Sequence, residues 1–347
     1  MPNHLALGLV TFLIAVFTPI SLAAEATASA PKQMALTFDD LPYATPVPDG
    51  WSLPNAQRVT AAILDALTTH GAPATAFVNE AQLYKLDQID ARTALLQRWV
   101  EAGGVLGNHT FSHTDLNKVS IDEYEDEIVR GDIVSRTLMA SRSPYQLYFR
   151  HPYTHTGDTS TKKKAIERFL TARDYLVAPH TIDSQDYIFN HVYVVARQRG
   201  DTDVAERVCT AYVEFVSRVT TFSEQAAKKV FGRSIPQTIL LHANDVNADC
   251  LDELLQRLAE RQYTFVSLDT AMADTAYQAS DTLVTAFGPT WLWRWTKSQG
   301  LKVSFKDDPV PPAWINELYE QVSKAHTKIG NDGDHDGDQL KRSGGAD

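Results

Sequence analysis

Apolar residues recur along the chain in two alternating rhythms. Short stretches are apolar almost throughout: QMALTF (Gln33–Phe38), ATAFVN (Ala74–Asn79), VLGNH (Val105–His109), QLYFR (Gln146–Arg150), YLVAPHTI (Tyr175–Ile182), QTILLH (Gln237–His242) and YTFVSL (Tyr263–Leu268). Runs of this length read as strands buried on both faces. Between them lie segments with apolar positions three and four apart, among them NAQRVTAAILDALTTHG, ARTALLQRWVEAGG, IDEYEDEIVRGDIVSRTLMAS, KKKAIERFLTARD and CLDELLQRLAERQ. These are amphipathic helices, the first with a glycine stop at Gly71. A long helical region is expected from about Asp201 to Gly232. Seven apolar strands alternating with helices imply parallel pairing through right-handed crossovers. Such a set closes into a barrel or stays open as a doubly wound sheet.

The rhythm breaks after Thr270. The aromatic-dense GPTWLWRW (Gly288–Trp295) suits a plug for a core or a barrel end, and INELYEQVSKAH a last helix. Residues 276–326 are therefore expected to be a C-terminal extension packing on the main fold, and residues 327–347, polar and Gly-rich, a disordered acidic tail. At the other end, residues 5–20 carry no charge, and small residues suited to cleavage follow. This reads as a signal peptide over residues 1–24, although its start lacks Lys and Arg; an uncleaved anchor is the rival reading. The expected location is periplasmic or secreted, with no stable membrane span after cleavage. Cys209 and Cys250 leave two readings open, a disulfide or two buried thiols, and the second is the one taken here.

The formal net charge of −11 over 347 residues argues against a nucleic-acid partner, which needs a basic footprint. No Gly-rich phosphate loop follows the first strand, so nucleotide binding has no support. The chemistry-bearing residues gather just after the strands. Asp39 and Asp40 follow the first, His109 and His113 the third, Arg150 to Tyr153 the fourth. Asp183 and Asp186 follow the fifth, and His242 ends the sixth. In parallel α/β folds the strands' C-terminal ends share one face, so these residues are expected to converge. His109 and His113, four apart, would share one face of a helical turn, though two unrelated surface histidines would look the same. Two histidines and a carboxylate make a common divalent-metal site with an open position. The second aspartate of a pair then remains free as a base. Glu80 is a candidate substrate contact; His151, His155, His180 and His191 read as structural or substrate-lining.

ALTFDD, NHTFSH, RHPY, DSQDY and LLH stand in the order and spacing of the polysaccharide deacetylase family, the NodB-like group of carbohydrate esterase family four. The chain resembles that family over roughly Gln33 to Ala273. The resemblance implies an α/β fold, a distorted (β/α)7 TIM-like barrel, at residues 31–275. A helical insertion at about 187–232 would lie between strands five and six. It also implies metal ligation by Asp40, His109 and His113. Zinc is the default ion, with cobalt, nickel or manganese as alternatives. By the same resemblance Asp39 is the general base, oriented by Arg150, and the Tyr153 amide is the oxyanion donor. His242 is the general acid, oriented by Asp186, and Leu240 lines the pocket for the acetyl methyl. Tyr187 stands where many members have Trp, and the insertion is larger than in compact members. The implied function is removal of N-acetyl groups from amino sugars of a poly- or oligosaccharide, with an N-acetylated glycan as partner. The alternatives are hydrolysis of a non-sugar amide or an O-acetyl ester on the same fold, and glycan binding without catalysis. The sequence leaves oligomeric state open.

Overall fold

The computed structural model describes residues 32–47, 50–142 and 144–329. The expected signal peptide and the tail beyond residue 329 lie outside the described residues. Among the described residues there are eight strands: β1 (Lys32–Leu41), β2 (Ala74–Val78), β3 (Val105–Asn108), β4 (Leu147–Phe149), β5 (Tyr175–Val177), β6 (Ile182–Asp183), β7 (Gln237–His242) and β8 (Tyr263–Phe265). The helices are α1 (Leu53–Thr69), α2 (Ile89–Glu101), α3 (Ile121–Arg130), α4 (Ile133–Met139), α5 (Ser160–Thr171), α6 (Asp186–Gln198), α7 (Thr202–Phe231), α8 (Asp245–Glu260), α9 (Leu268–Met272), α10 (Trp291–Ser298) and α11 (Ala313–Ile329). Local chemistry sets many of the boundaries. Ser52 caps α1, with Pro54 in its first turn. Ser120 and Glu123 form a reciprocal capping box on α3. Gly232, at φ 72°, ends the 30-residue α7.

All strand pairs are parallel, in the order β5-β4-β3-β2-β1-β7-β6, with β8 joined to the start of β1. Chain connectivity forces this sheet to curl. Laid flat, six strand spacings would separate β5 from β6 by about 29 Å. Yet β6 begins five residues after β5 ends, a reach of about 18 Å at most. The ends of the sheet must therefore approach each other, and residues 178–181 bridge them. This is the barrel-like (β/α) architecture that the resemblance implied, where the alternation of elements had left a barrel and an open sheet both possible.

Two elements differ from expectation. The segment IDEYEDEIVRGDIVSRTLMAS, expected as one long helix, is two, α3 and α4, parted at Gly131 and Asp132. YLVAPHTI is two strands at opposite ends of the sheet. Pro179 offers no N–H to a ladder and interrupts the run at its middle. The insertion between β6 and β7 is two helices, α6 and α7, parted at Gly200, which takes φ 71°. The core lies between the sheet and helices α1, α2, α6, α7 and α8, with Phe38 and Trp99 in aromatic contact at 5.3 Å. α11 packs on α6 through Tyr319, which meets His191 and Tyr187. α11 also runs to Ile329, so the first residues of the expected tail are helical. Among the described residues no helix is long and apolar enough to cross a membrane.

Cys209 and Cys250 form a disulfide between α7 and α8, against the buried-thiol reading. The two helices pack side by side and bring the Cα atoms to 5.7 Å, within bridging range. Closing a loop with a sequence separation of 41 stabilises by about 4 kcal/mol in the chain-entropy model. We expect the Cys209→Ala/Cys250→Ala double variant to unfold at clearly lower guanidinium concentration than the oxidised parent. An unchanged midpoint would show that the bridge contributes nothing.

Candidate active site

The site begins with a break in strand geometry. Neighbouring residues of a regular strand point to opposite faces, which would part Asp39 from Asp40. The β1–β2 register shifts between Phe38 and Leu41, and Asp40 takes φ 63°. This irregularity swings both carboxylates toward one imidazole: His109 Nε2 lies 3.7 Å from Asp39 Oδ2 and 3.5 Å from Asp40 Oδ1. His113 Nε2 lies 3.4 Å from the same Asp40 oxygen. The two histidines do not meet through a helical turn. Residues 109–113 form a loop in which Thr110 and His113 are left-handed, at φ 63° and 58°, and the rings come within 5.0 Å.

That loop is braced from several sides. Asn79 donates to the His109 carbonyl, Ala81 N–H to the Phe111 carbonyl, and Ser112 to Glu127. Gly131 permits the close approach of the α3–α4 junction. A Cβ there would stand 2.6 Å from the Thr110 carbonyl carbon.

Ligand atoms of Asp40, His109 and His113 all lie within 4.8 Å of one another, so they form a possible metal site. The donor set fits a divalent ion on three counts. Asp40 Oδ1 is buried with no hydrogen-bond partner, an arrangement that is costly without a cation. His109 Nδ1 donates to the Arg150 carbonyl at 2.8 Å, which leaves the Nε2 lone pair facing Asp40. Burial pushes the His109 pKa down to about 4 and lowers that of His113. Burial works to raise Asp40, but His113, His242 and His109 together outweigh it and hold its pKa below the usual carboxylate value. Neutral imidazoles beside an ionised carboxylate are the states a metal requires.

Asp39 sits deeper. Burial raises its pKa to about 6, while Arg150 works against that rise. The Arg150 guanidinium is fully buried, with Nη1 at 3.8 Å from Asp39 Oδ2. It donates from Nη2 to Thr37 Oγ1 and lies over the Phe77 ring. On the other side, His242 ends β7, paired in register with Asp39. Asp186 Oδ1 accepts from His242 Nδ1 at 2.6 Å, and Asp186 Oδ2 from the His242 backbone N–H at 2.7 Å. Burial alone would lower the His242 pKa. Asp186 overrides it, aided by Asp40 and Asp39, and lifts the value to about 10. Leu240 lies two residues earlier on β7, buried and on the same face as His242. Tyr153 follows Arg150 in a loop where Tyr153 and Thr154 are both left-handed, at φ 55° and 54°. Its ring packs 4.5 Å from that of His113. Left-handed conformations at non-glycine residues cost on the order of 1–3 kcal/mol each and gather at functional sites.

Residues 26–169 match the family model described as polysaccharide deacetylase. Over that stretch the chain is similar to the polysaccharide deacetylase family. Among curated relatives, the peptidoglycan-N-acetylglucosamine deacetylase of Bacillus cereus is 29% identical over 155 residues, 45% of this chain and 46% of that protein. The chitin deacetylase of Arthroderma benhamiae is 30% identical over 155 residues, covering 44% and 35%. The chain thus spans half or less of these relatives' own length. The solved peptidoglycan deacetylase PdaC from Bacillus subtilis is 21% identical, covers 72% of this chain and 93% of its own, and superposes with a TM-score of 0.42.

Several residues of this site carry no sequence signal of their own. Thr37 orients Arg150, Asn79 holds the His109 backbone, and Asn244 and Asn247 donate to Asp186. Tyr212, from the long α7, donates to Asn247 Oδ1 at 2.7 Å. Thr37 and Asn79 lie on or beside strand ends that point at the site, which is the one pattern that could have found them. Glu80 belongs elsewhere. Its buried carboxylate accepts from the Val134 and Ser135 N–H groups and from the Ser135 hydroxyl, capping α4 from outside. His151 is likewise committed to packing, hydrogen-bonded to the Tyr124 hydroxyl at 3.1 Å. His155 pairs with Asp115 at 2.8 Å.

The raised His242 pKa fixes the sign of a stability effect. A histidine whose pKa rises on folding stabilises the fold fully below its unfolded pKa and loses that contribution as pH climbs through the folded value. In metal-free protein, the stability lost on Asp186→Asn should be greatest at pH 6.5 or below and shrink as pH approaches 10. Urea unfolding at pH 6, 8 and 10 measures this. A pH-independent difference would show that His242 titrates at its ordinary value.

Proposed function

We propose that the protein is a metal-dependent hydrolase that removes N-acetyl groups from the amino sugars of a poly- or oligosaccharide. One observation carries this reading. A buried carboxyl raised to about 6, Asp39, and an imidazole raised to about 10, His242, pair in register beside three residues that could hold a metal ion. A binding protein has no need of two groups driven apart in this way, whereas amide hydrolysis requires both.

Asp40, His109 and His113 would hold the ion, with zinc the default for this donor set. When bound, the ion supplies Lewis acidity at the acetyl oxygen and acidifies water. Asp39, held ionised and oriented by Arg150, accepts the proton of the attacking water. The Tyr153 backbone amide donates to the oxygen that gains charge in the tetrahedral state. The open Nε2 of His242, its other nitrogen committed to Asp186, delivers a proton to the departing amine. Leu240 forms the wall against the acetyl methyl, admitting a small acyl group. The expected place of action is outside the cytoplasm, where N-acetylated polymers are met.

Acetate release from N-acetylglucosamine oligomers tests the reading. Chelation should abolish release, and readded zinc should restore it. Asp39→Asn should lower kcat by about 10²–10⁴ while leaving bound metal unchanged. A zinc-loaded protein that hydrolyses a formamide or an O-acetyl ester but no N-acetyl sugar would move the assignment to another acyl substrate. Activity indifferent to both chelator and Asp39→Asn would refute the mechanism.

A further inference from the structure

The family match ends at residue 169, yet the loop carrying Tyr153 is held in part by residues far beyond it. Gly288 is buried directly against that loop. A Cβ at this position would stand 1.9 Å from both the Tyr153 carbonyl oxygen and Thr154 Oγ1. Its backbone φ is ordinary, so the requirement for glycine here is one of space. The flanking residues are tied to the same loop and its neighbours. Asn117 Nδ2 donates to the Ala286 carbonyl at 3.3 Å. Arg294, fully buried, donates to Thr156 Oγ1, to Asp281 Oδ2 at 2.8 Å and to the Leu283 carbonyl at 3.2 Å. Lys163, at the start of α5, meets Asp281 from the other side at 2.9 Å. The Trp291 N–H donates to the His180 carbonyl in the bridge between β5 and β6.

We propose that residues 281–294 are a positioning clamp that holds the Tyr153–Thr154 loop in its left-handed conformation, and so aims the Tyr153 amide at the reacting acyl oxygen. The inference rests on the deacetylase reading above and adds to it a segment that the family match does not cover. The physical case is the strain itself. Two consecutive non-glycine residues at φ near +55° relax to ordinary backbone unless their surroundings forbid it. Gly288, lacking a Cβ, leaves the space that the Tyr153 carbonyl and the Thr154 hydroxyl occupy in this conformation. The Arg294–Thr156 hydrogen bond fixes the chain two residues further on. Asp281 holds Arg294 between Thr156 and the Leu283 carbonyl, and Lys163 holds Asp281.

The test uses the full, zinc-loaded chain on N-acetylglucosamine oligomers. Gly288→Ala and Thr156→Val should each lower kcat by at least about tenfold, with KM within about twofold and zinc per chain unchanged. This is the pattern for loss of an interaction made in the transition state. Thr156→Ser retains the hydroxyl and should restore near-parental kcat, which a purely volume-filling role for Thr156 would not give. If Gly288→Ala fails to fold, the two Thr156 variants carry the test alone. Parental kcat in Thr156→Val, or a raised KM at constant kcat, would overturn the clamp. A folded, zinc-bound parent that releases no acetate would overturn the deacetylase reading, and the clamp's role in it, separately from any variant.

Discussion

Two adjacent carboxylates on a strand cannot serve one site while the strand keeps its alternation. The site depends on β1 abandoning that alternation between Phe38 and Leu41. The left-handed turn at Asp40 brings its carboxylate around to the His109 imidazole that already faces Asp39. Without it, one aspartate would point into the sheet's other face, among the apolar residues that bury β1. That conformation has a free-energy cost, as do those at Thr110, His113, Tyr153 and Thr154. The tightly paired strands around them are what make it sustainable.

Electrostatics then assigns different states to groups that are chemically alike. Asp39 and Asp40 are neighbours, yet one is raised and the other lowered. Asp40 faces three histidines, whereas Asp39 is governed by burial against a single, imperfectly placed guanidinium. Among the histidines the division is as sharp. His109 gives its Nδ1 proton to a carbonyl and stays neutral, while His242 gives its own to a carboxylate and stays charged. Burial outweighs the nearby carboxylate at His109, whereas Asp186 outweighs burial at His242.

The elements that stabilise the fold also aim the site. α7 reaches Asp186 through Tyr212 and Asn247, and the same helix is bound to α8 by the disulfide. The C-terminal segment buries its tryptophans against α7 while its glycine and arginine grip the loop after β4. Segments outside the family match therefore help to shape the loops within it.

Much of this was legible in the residues alone. Alternating apolar runs and amphipathic segments fix strand and helix because each depends on local periodicity. Parallel pairing then places every strand's C-terminal end on one face, so Asp39, Asp40, His109, His113, Arg150, Asp186 and His242 had to converge. Other features depend on which distant surfaces meet, and no local pattern encodes that. The disulfide exists because α7 and α8 pack side by side. Glu80 became a helix cap because α4 begins beside it. The apolar run around Pro179 became two strands because the sheet curls and the chain must bridge its edges. Gly288 needs its missing side chain because the Tyr153 loop occupies that space. Periodicity is a property of neighbours in the chain; these contacts are properties of neighbours in space.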